Sequence, residues 1–299
     1  MFARPARYNS VAIQRAALIL TPLTFSLLSM ADSPHQLEPG GAIPDNAEFF
    51  TAAFLEARRR ALEQSTPRDL DEFDPKLPAG HAYAIRTSTR LTSYTKRHQR
   101  KAAMDITPQD VIDTLNAAGV KNWVLMGLHG YVGYMPDPRA TQDVDVMVPY
   151  SAHVRAKKAI AARWPELRIR ELSQVTRFLD PLDVDHEGQP KPIIDLMHPW
   201  SPFQELILKE YVVVDEETQH RLPTLEAALV SKYASMVSPY RDRDKKEQDA
   251  VDFRRLARAN RDRIRTDDLR RLAGLVWEGG ADEVVRFIEI ALSDEPFPI

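Results

Sequence analysis

The sequence predicts an α/β core followed by a helical C-terminal segment, and three patterns carry that expectation. The run Arg139-Ala140-Thr141-Gln142-Asp143-Val144-Asp145-Val146-Met147-Val148 ends in an apolar and polar alternation with the period of two that marks a strand. Two apolar-rich runs, Gln174 to Asp180 and Pro192 to His198, flank the polar turn Asp183-Val184-Asp185-His186-Glu187-Gly188-Gln189, the pattern of a hairpin. After Leu222 apolar residues recur at i, i+3 and i+4, the spacing of helices that bury one face.

Taken in order, the N-terminus begins with Arg4, Arg7 and Arg15 ahead of the apolar stretch Ala16 to Met30, and Ser29-Met30-Ala31 imitates a cleavage site. The expectation here is an appended leader or a misplaced start, with no role in the fold. Residues 44–64 are expected to form one amphipathic helix with Phe50, Phe54 and Ala57 on a face. Between Ala84 and Ala103 lie six Lys/Arg and no acid amid Thr and Ser, the composition of a linker. Residues 1–103 are therefore expected to be a largely disordered N-terminal extension. Thr107-Pro108 reads as N-cap and first helical residue, Val111, Leu115 and Ala118 follow at helical spacing, and Gly119 stops the helix. Asn122 to Met126 lacks polar alternation, as a strand buried on both faces does, and ends at Gly127. Gly127-Leu128-His129-Gly130 is a glycine-punctuated turn whose backbone N–H groups can face an anion, and it leads into a short helix at Tyr131 to Tyr134. Helices are expected over Thr224 to Ser238, Asp244 to Arg258, Thr266 to Trp277 and Ala281 to Ser293. The domain boundaries read from these patterns are an α/β core at 104–222 and a helical domain at 223–299.

The chemistry concentrates in the alternating strand. Asp143, Asp145 and Met147 share one face and Val144, Val146 and Val148 the other, so two carboxylates stand about 7 Å apart and repel. A cation compensates them, and magnesium, which prefers carboxylate and phosphate oxygens, suits the site, with manganese as the alternative. Asp195 sits among Ile193, Ile194, Leu196 and Met197, where an aspartate is excluded unless paired or metal-bound. If its strand neighbours the first at about 4.8 Å, three carboxylates meet and can hold two divalent ions about 3.5 to 4 Å apart for in-line phosphoryl chemistry.

With those residues in place, the chain resembles the nucleotidyltransferase superfamily typified by DNA polymerase beta. Its members carry a strand, a glycine-containing turn, an Arg-x-Thr-x-Asp-x-Asp strand and a third aspartate on a later strand; the counterparts are Gly127, Arg139, Thr141, Asp143, Asp145 and Asp195. Leu222 to Lys232, then Arg241, Arg243 and Gln248-Asp249-Ala250-Val251-Asp252-Phe253, is similar to the helical segment of abortive-infection type nucleotidyltransferase toxins and their uncharacterised relatives. The resemblance covers Asp105 to about Leu256. It departs at Gly127-Leu128, where the family has Gly-Gly or Gly-Ser, and at Gln248, where a lysine is common. It implies a mixed sheet, two magnesium ions on Asp143, Asp145 and Asp195, and transfer of a nucleoside monophosphate from an NTP to an RNA end, a protein side chain or a small molecule. It also implies that Asp195 can act as general base, that the Gly127-Leu128 backbone meets the triphosphate, that Arg139 and Thr141 belong to the nucleotide site, and that Lys232, Arg241 and Arg243 bind phosphate oxygens. An antitoxin-like protein is the partner implied, and NTP supply places the activity in the cytoplasm.

Blander readings stand beside these. Asp183 and Asp185 form a second Asp-x-Asp, which turn chemistry explains. His129 and His198 have no zinc spacing, so hydrogen-bonded structural roles are expected. Arg254, Arg255, Arg258, Arg261, Arg263, Arg265, Arg270 and Arg271 could track an RNA backbone or form an ordinary exposed face. The chain of 299 residues is 43% hydrophobic and 28% charged with a net charge of -3, a globular mixture without global attraction for nucleic acid. It has no cysteine, which excludes disulfides and thiolate metal sites, and no membrane span is expected. Two alternatives to the transferase remain: a catalytically idle nucleotide-sensing or partner-binding module, suggested by the irregular turn, and a divalent-metal phosphohydrolase using the same aspartates.

Overall fold

The computed structural model describes residues 74–99, 103–135, 137–216 and 218–299; the leader-like segment and the helix expected at 44–64 lie outside them. The chain enters as helix α1 (Pro78–Gln99), where the sequence pattern suggested a linker. Its buried residues, among them Ile85, Ser88, Thr92 and Lys96, recur every three or four positions. Most of that face is small or polar, and tertiary hydrogen bonds satisfy it. The Ser88 hydroxyl donates to the Arg139 carbonyl (2.6 Å), Thr92 Oγ1 accepts from the Thr141 amide (3.1 Å), and Lys96 Nζ donates to the Ile106 carbonyl (3.1 Å). The start of the ordered chain expected near residue 104 is thus corrected: α1 belongs to the fold and braces the segment that leads into the two aspartates.

Helix α2 (Pro108–Ala117) starts as expected, with Thr107 and Asp110 forming a reciprocal capping box and Gly119 ending it at φ +73°. Strand β1 (Val124–Leu125) is shorter than the apolar run, and the glycine turn becomes helix α3 (Gly127–Tyr131) followed by a 3-10 turn at Val132–Tyr134. Strand β2 (Val144–Met147) follows, then α4 (Tyr150–Arg163), β3 (Arg168–Glu171), β4 (Val175–Val184) and β5 (Pro190–Met197). The last two form the expected hairpin, and Asp185 explains its turn by accepting from the Glu187 and Gln189 amides at 2.9 and 2.8 Å.

The main sheet has the order β1-β2-β5-β4-β3. It is mixed: β2 and β5 run parallel, while the other neighbours are antiparallel. Val144, Val146, Ile194 and Leu196 are fully buried, so the apolar alternation fixes which face of each strand enters the core. Beyond the sheet come α5 (Pro202–Glu210), a small hairpin of β6 (Val212–Val214) with β7 (Arg221–Pro223), and helices α6 (Leu225–Val237), α7 (Arg243–Ala259), α8 (Thr266–Ala273) and α9 (Gly280–Leu292). One apolar cluster joins the sheet residues to Tyr233, Phe253, Leu272 and Phe287 of these helices. No helix among the described residues is long and apolar enough to cross a membrane.

Candidate metal centre

Strand register assembles the site. Asp145 on β2 pairs with Asp195 on β5, and Asp195 pairs in turn with Arg177 on β4. Register partners put their side chains on the same face of a sheet, so one row reads Asp145, Asp195, Arg177. Asp143, two residues before Asp145, joins from the same side. Each of Asp143, Asp145 and Asp195 offers a carboxylate oxygen, and these oxygens lie within 4.8 Å of one another.

Such an arrangement opposes its own charge. Burial first, then Asp143 and Asp195, raises the Asp145 pKa well above the usual carboxylate range, and Lys232 and Arg177 offset only part of that. Asp195 is pushed up to about 6 by burial, against the pull of Arg177 and with a further push from Asp143. Its Oδ1 is buried and has no hydrogen-bond partner. A divalent cation would relieve all three conditions: the repulsion, the desolvation and the orphaned oxygen. The donor set is carboxylate oxygen throughout, the kind that hard divalent cations take.

The local chain explains why the carboxylates can stand there. The Met126 amide donates to the Asp145 carbonyl at 2.8 Å, which brings the following Gly127 against the Asp145 side chain. Gly127 has φ +53°, and a Cβ at that position would lie 1.8 Å from Asp145 Oδ2. Only glycine fits on both counts. Leu128, expected beside it at the nucleotide, buries its side chain in the core and leaves only backbone to the site. Thr141 Oγ1 donates to Asp143 Oδ1 at 3.2 Å and so orients that ligand.

The expected phosphate-binding cations sit in a different arrangement. Lys232 Nζ donates to Asp249 (2.8 Å) and Asp252 (2.9 Å) and lies 4.6 Å from the centre of the Tyr131 ring. Burial alone would lower its pKa, but Tyr131, Asp249 and Asp252 outweigh that and hold it above its ordinary value. Arg139 pairs with Asp252 at 2.8 Å and also donates to the Tyr131 hydroxyl at 3.1 Å; Arg241 pairs with Asp249 at 2.8 Å. Arg139, Lys232 and Arg241 thus converge on two buried aspartates of α7, and Gln248 also donates to Asp252 at 3.3 Å. Arg243 is exposed and pairs with Glu247 one turn along α7.

Sequence reasoning gave no role to Asp249, Asp252, Tyr131 or Arg177. The spacing of Asp249 and Asp252 on one helical face beside Phe253 and Leu256 was the available signal for a buried charge pair. Nothing in the sequence marked Arg177. His129 is buried, and burial, with Lys96 and His220 nearby, lowers its pKa to about 3; His198 packs edge-on to Tyr150 and His153. Neither joins the carboxylates. Much of the arginine-rich stretch is engaged internally: Arg254 covers the Phe297 ring, Arg258 binds the Ala291 carbonyl, Arg265 pairs with Glu226 and Arg271 with Glu210.

No protein-family model matches the chain, and no curated protein matches it. Among solved structures, an antigenic nucleotidyltransferase-like protein from Paracoccidioides brasiliensis is similar at 15% identity and a TM-score of 0.36, over 62% of this chain and 94% of that one. A likeness of that degree carries no chemistry; the carboxylate triad does.

Proposed function

We propose that the protein is a metal-dependent nucleotidyltransferase that moves a nucleoside monophosphate from an NTP to a hydroxyl acceptor. The observation that carries this reading is the convergence of Asp143, Asp145 and Asp195, with a buried orphan oxygen at Asp195. Asp143 and Asp145 would hold one ion and, with Asp195, a second. Bound divalent ions supply charge neutralisation for the triphosphate and a lowered pKa for the acceptor hydroxyl.

The chain's own groups do the rest. Gly127 keeps backbone, free of a side chain, beside Asp145, where the triphosphate would lie. Thr141 fixes Asp143, and α1 fixes Thr141. In the transfer step the acceptor oxygen bonds to the α-phosphorus and the bond from that phosphorus to the bridging oxygen breaks. Pyrophosphate leaves with the electron pair, and Asp195 would take the acceptor proton as general base. Arg241, just before α7, and Arg243, its first residue, would meet the leaving pyrophosphate. Lys232 acts through the potential it sets at Asp145. Dependence on NTP would call for a cytoplasmic location, and an antitoxin-like partner belongs to this reading.

A second reading, a nucleotide-sensing module without turnover, is favoured by one observation: Arg139, Lys232 and Arg241 are already neutralised by Asp249 and Asp252. One experiment separates the two. The full chain and Asp143→Asn are incubated with each α-labelled NTP, magnesium, total RNA and cell protein, and the labelled products are resolved. Labelled acceptor that is absent with the variant supports transfer. Nucleotide binding without label points to sensing, and release of nucleotide without transfer points to a phosphohydrolase.

A further inference from the structure

Arg177 holds an unsettled place beside the triad. Its Nε stands 3.3 Å from Asp195 Oδ2, yet that nitrogen is buried without a hydrogen bond, as is Asp195 Oδ1. Strand register thus holds the two as an ion pair that leaves one buried atom of each, Arg177 Nε and Asp195 Oδ1, without a hydrogen bond, although buried polar groups are nearly always paired. The terminal nitrogens of Arg177 have no protein acceptor among the described residues, and the side chain is 37% exposed. A guanidinium has five donors in a planar fork that matches phosphate oxygens. Here most of the fork is unused and open to solvent.

Register extends the row by one more cation. Arg170 on β3 pairs with Arg177 across the antiparallel β3–β4 ladder, so it stands on the same face one strand further from the carboxylates. It is exposed and has no ion pair among the described residues. At about 4.8 Å per strand, two arginine positions lie about 5 and 10 Å from Asp195 across the sheet. One small anion spans that interval.

We propose that Arg177 and Arg170 form a phosphate-binding subsite beside the carboxylate triad, and that an arriving phosphate draws Arg177 away from Asp195, which frees Asp195 to complete a divalent-metal site. The subsite rests on the arginine row alone; its link to the metal rests on the triad reading above. While Arg177 pairs with Asp195, its positive charge stands where a cation bound to Asp195 would feel it. Phosphate and metal therefore strengthen each other's binding, and by linkage the effect is reciprocal. The phosphate could belong to the triphosphate tail or to a phosphodiester of the acceptor.

Metal-free calorimetry with inorganic tripolyphosphate at low ionic strength tests the subsite in the full chain. Arg170→Gln and Arg177→Gln should each weaken binding roughly tenfold, as loss of a charge-assisted contact does, and Arg177→Lys should recover part of it. Unchanged affinity in Arg170→Gln, an exposed site whose substitution leaves the fold intact, would overturn the subsite. An NTP and an unphosphorylated-end oligoribonucleotide are then competed against the probe. Displacement by the NTP assigns the triphosphate tail, displacement by the oligonucleotide assigns the acceptor, and displacement by neither overturns the proposal. In manganese titrations without any anion, Arg177→Gln should bind the metal several-fold more tightly than the natural chain; equal or weaker binding refutes the coupling. Neither readout needs turnover, so failure of the transfer assay and failure here are separate results.

Discussion

Replacing Asp195 by asparagine should make the metal-free protein more stable, the opposite of what removal of a buried, ion-paired group normally does. The Asp195 pKa of about 6 lies about 2 units above its ordinary 3.8. At about 1.4 kcal/mol per unit this corresponds to about 3 kcal/mol by which ionised Asp195 opposes folding. The sign follows from proton linkage. The folded state holds this proton more tightly than the unfolded chain, so the associated stability is present below pH 3.8 and is lost as pH rises through about 6. Asparagine cannot ionise and avoids that loss. The pull of Arg177 is already contained in that value, so a net gain of about 3 kcal/mol remains at pH 8, or about 6 to 12 °C in Tm for a unit of this size. Thermal unfolding followed by circular dichroism in EDTA, from pH 4 to 8, measures it. The two proteins should melt together near pH 4 and separate with the variant higher by pH 8, and added magnesium should raise the natural chain above the variant. A variant that is less stable at pH 8 in EDTA, or a difference that does not vary with pH, refutes the reasoning.

Gly127→Ala should cost about 2 to 4 kcal/mol, from the positive φ together with a methyl forced against the Asp145 carboxylate; denaturant midpoints report the loss, and metal affinity should fall with it. Lys232→Met leaves Asp249 and Asp252 buried with less compensation, at about 3 to 5 kcal/mol, whereas Arg243→Ala, on an exposed pair, should change stability by less than about 0.5 kcal/mol; similar effects at the two positions would contradict the buried network. Ser88→Ala and Thr92→Val should each cost about 1 kcal/mol and weaken metal binding through Thr141 and Asp143, which calorimetry can separate from global unfolding.

What could be read from the sequence was whatever rests on periodicity and local chemistry. The β4–β5 hairpin, the cap at Thr107, the four C-terminal helices and the meeting of Asp195 with Asp143 and Asp145 all follow from alternation, turn residues and an aspartate out of place in an apolar run. Helix α1 was missed for a physical reason. Its inner face is built from Ser88, Thr92 and Lys96, whose partners lie at Arg139, Thr141 and Ile106, so no apolar stripe announced it. For the same reason a fragment starting at Met104 lacks the brace on the segment that leads into Asp143 and Asp145 and is a poor substitute for the full chain. Strand β3 was invisible because all four of its residues are exposed. The partners of Lys232, Arg139 and Arg241 could not be deduced either, since a cation expected to face phosphate and one neutralised by a buried aspartate look alike in sequence. Arg177 acquires meaning only through cross-strand register.

The most direct measurement is a calorimetric titration of manganese into the full chain and into Asp143→Asn at pH 5 and pH 7.5. If the triad is a metal site, the natural chain binds at pH 7.5 and binds more weakly at pH 5, where a proton occupies Asp195 and competes with the metal, and the variant loses most of the binding at both. Equal affinity in the two proteins, or affinity that does not change between the two pH values, would show that the three carboxylates do not hold the ion.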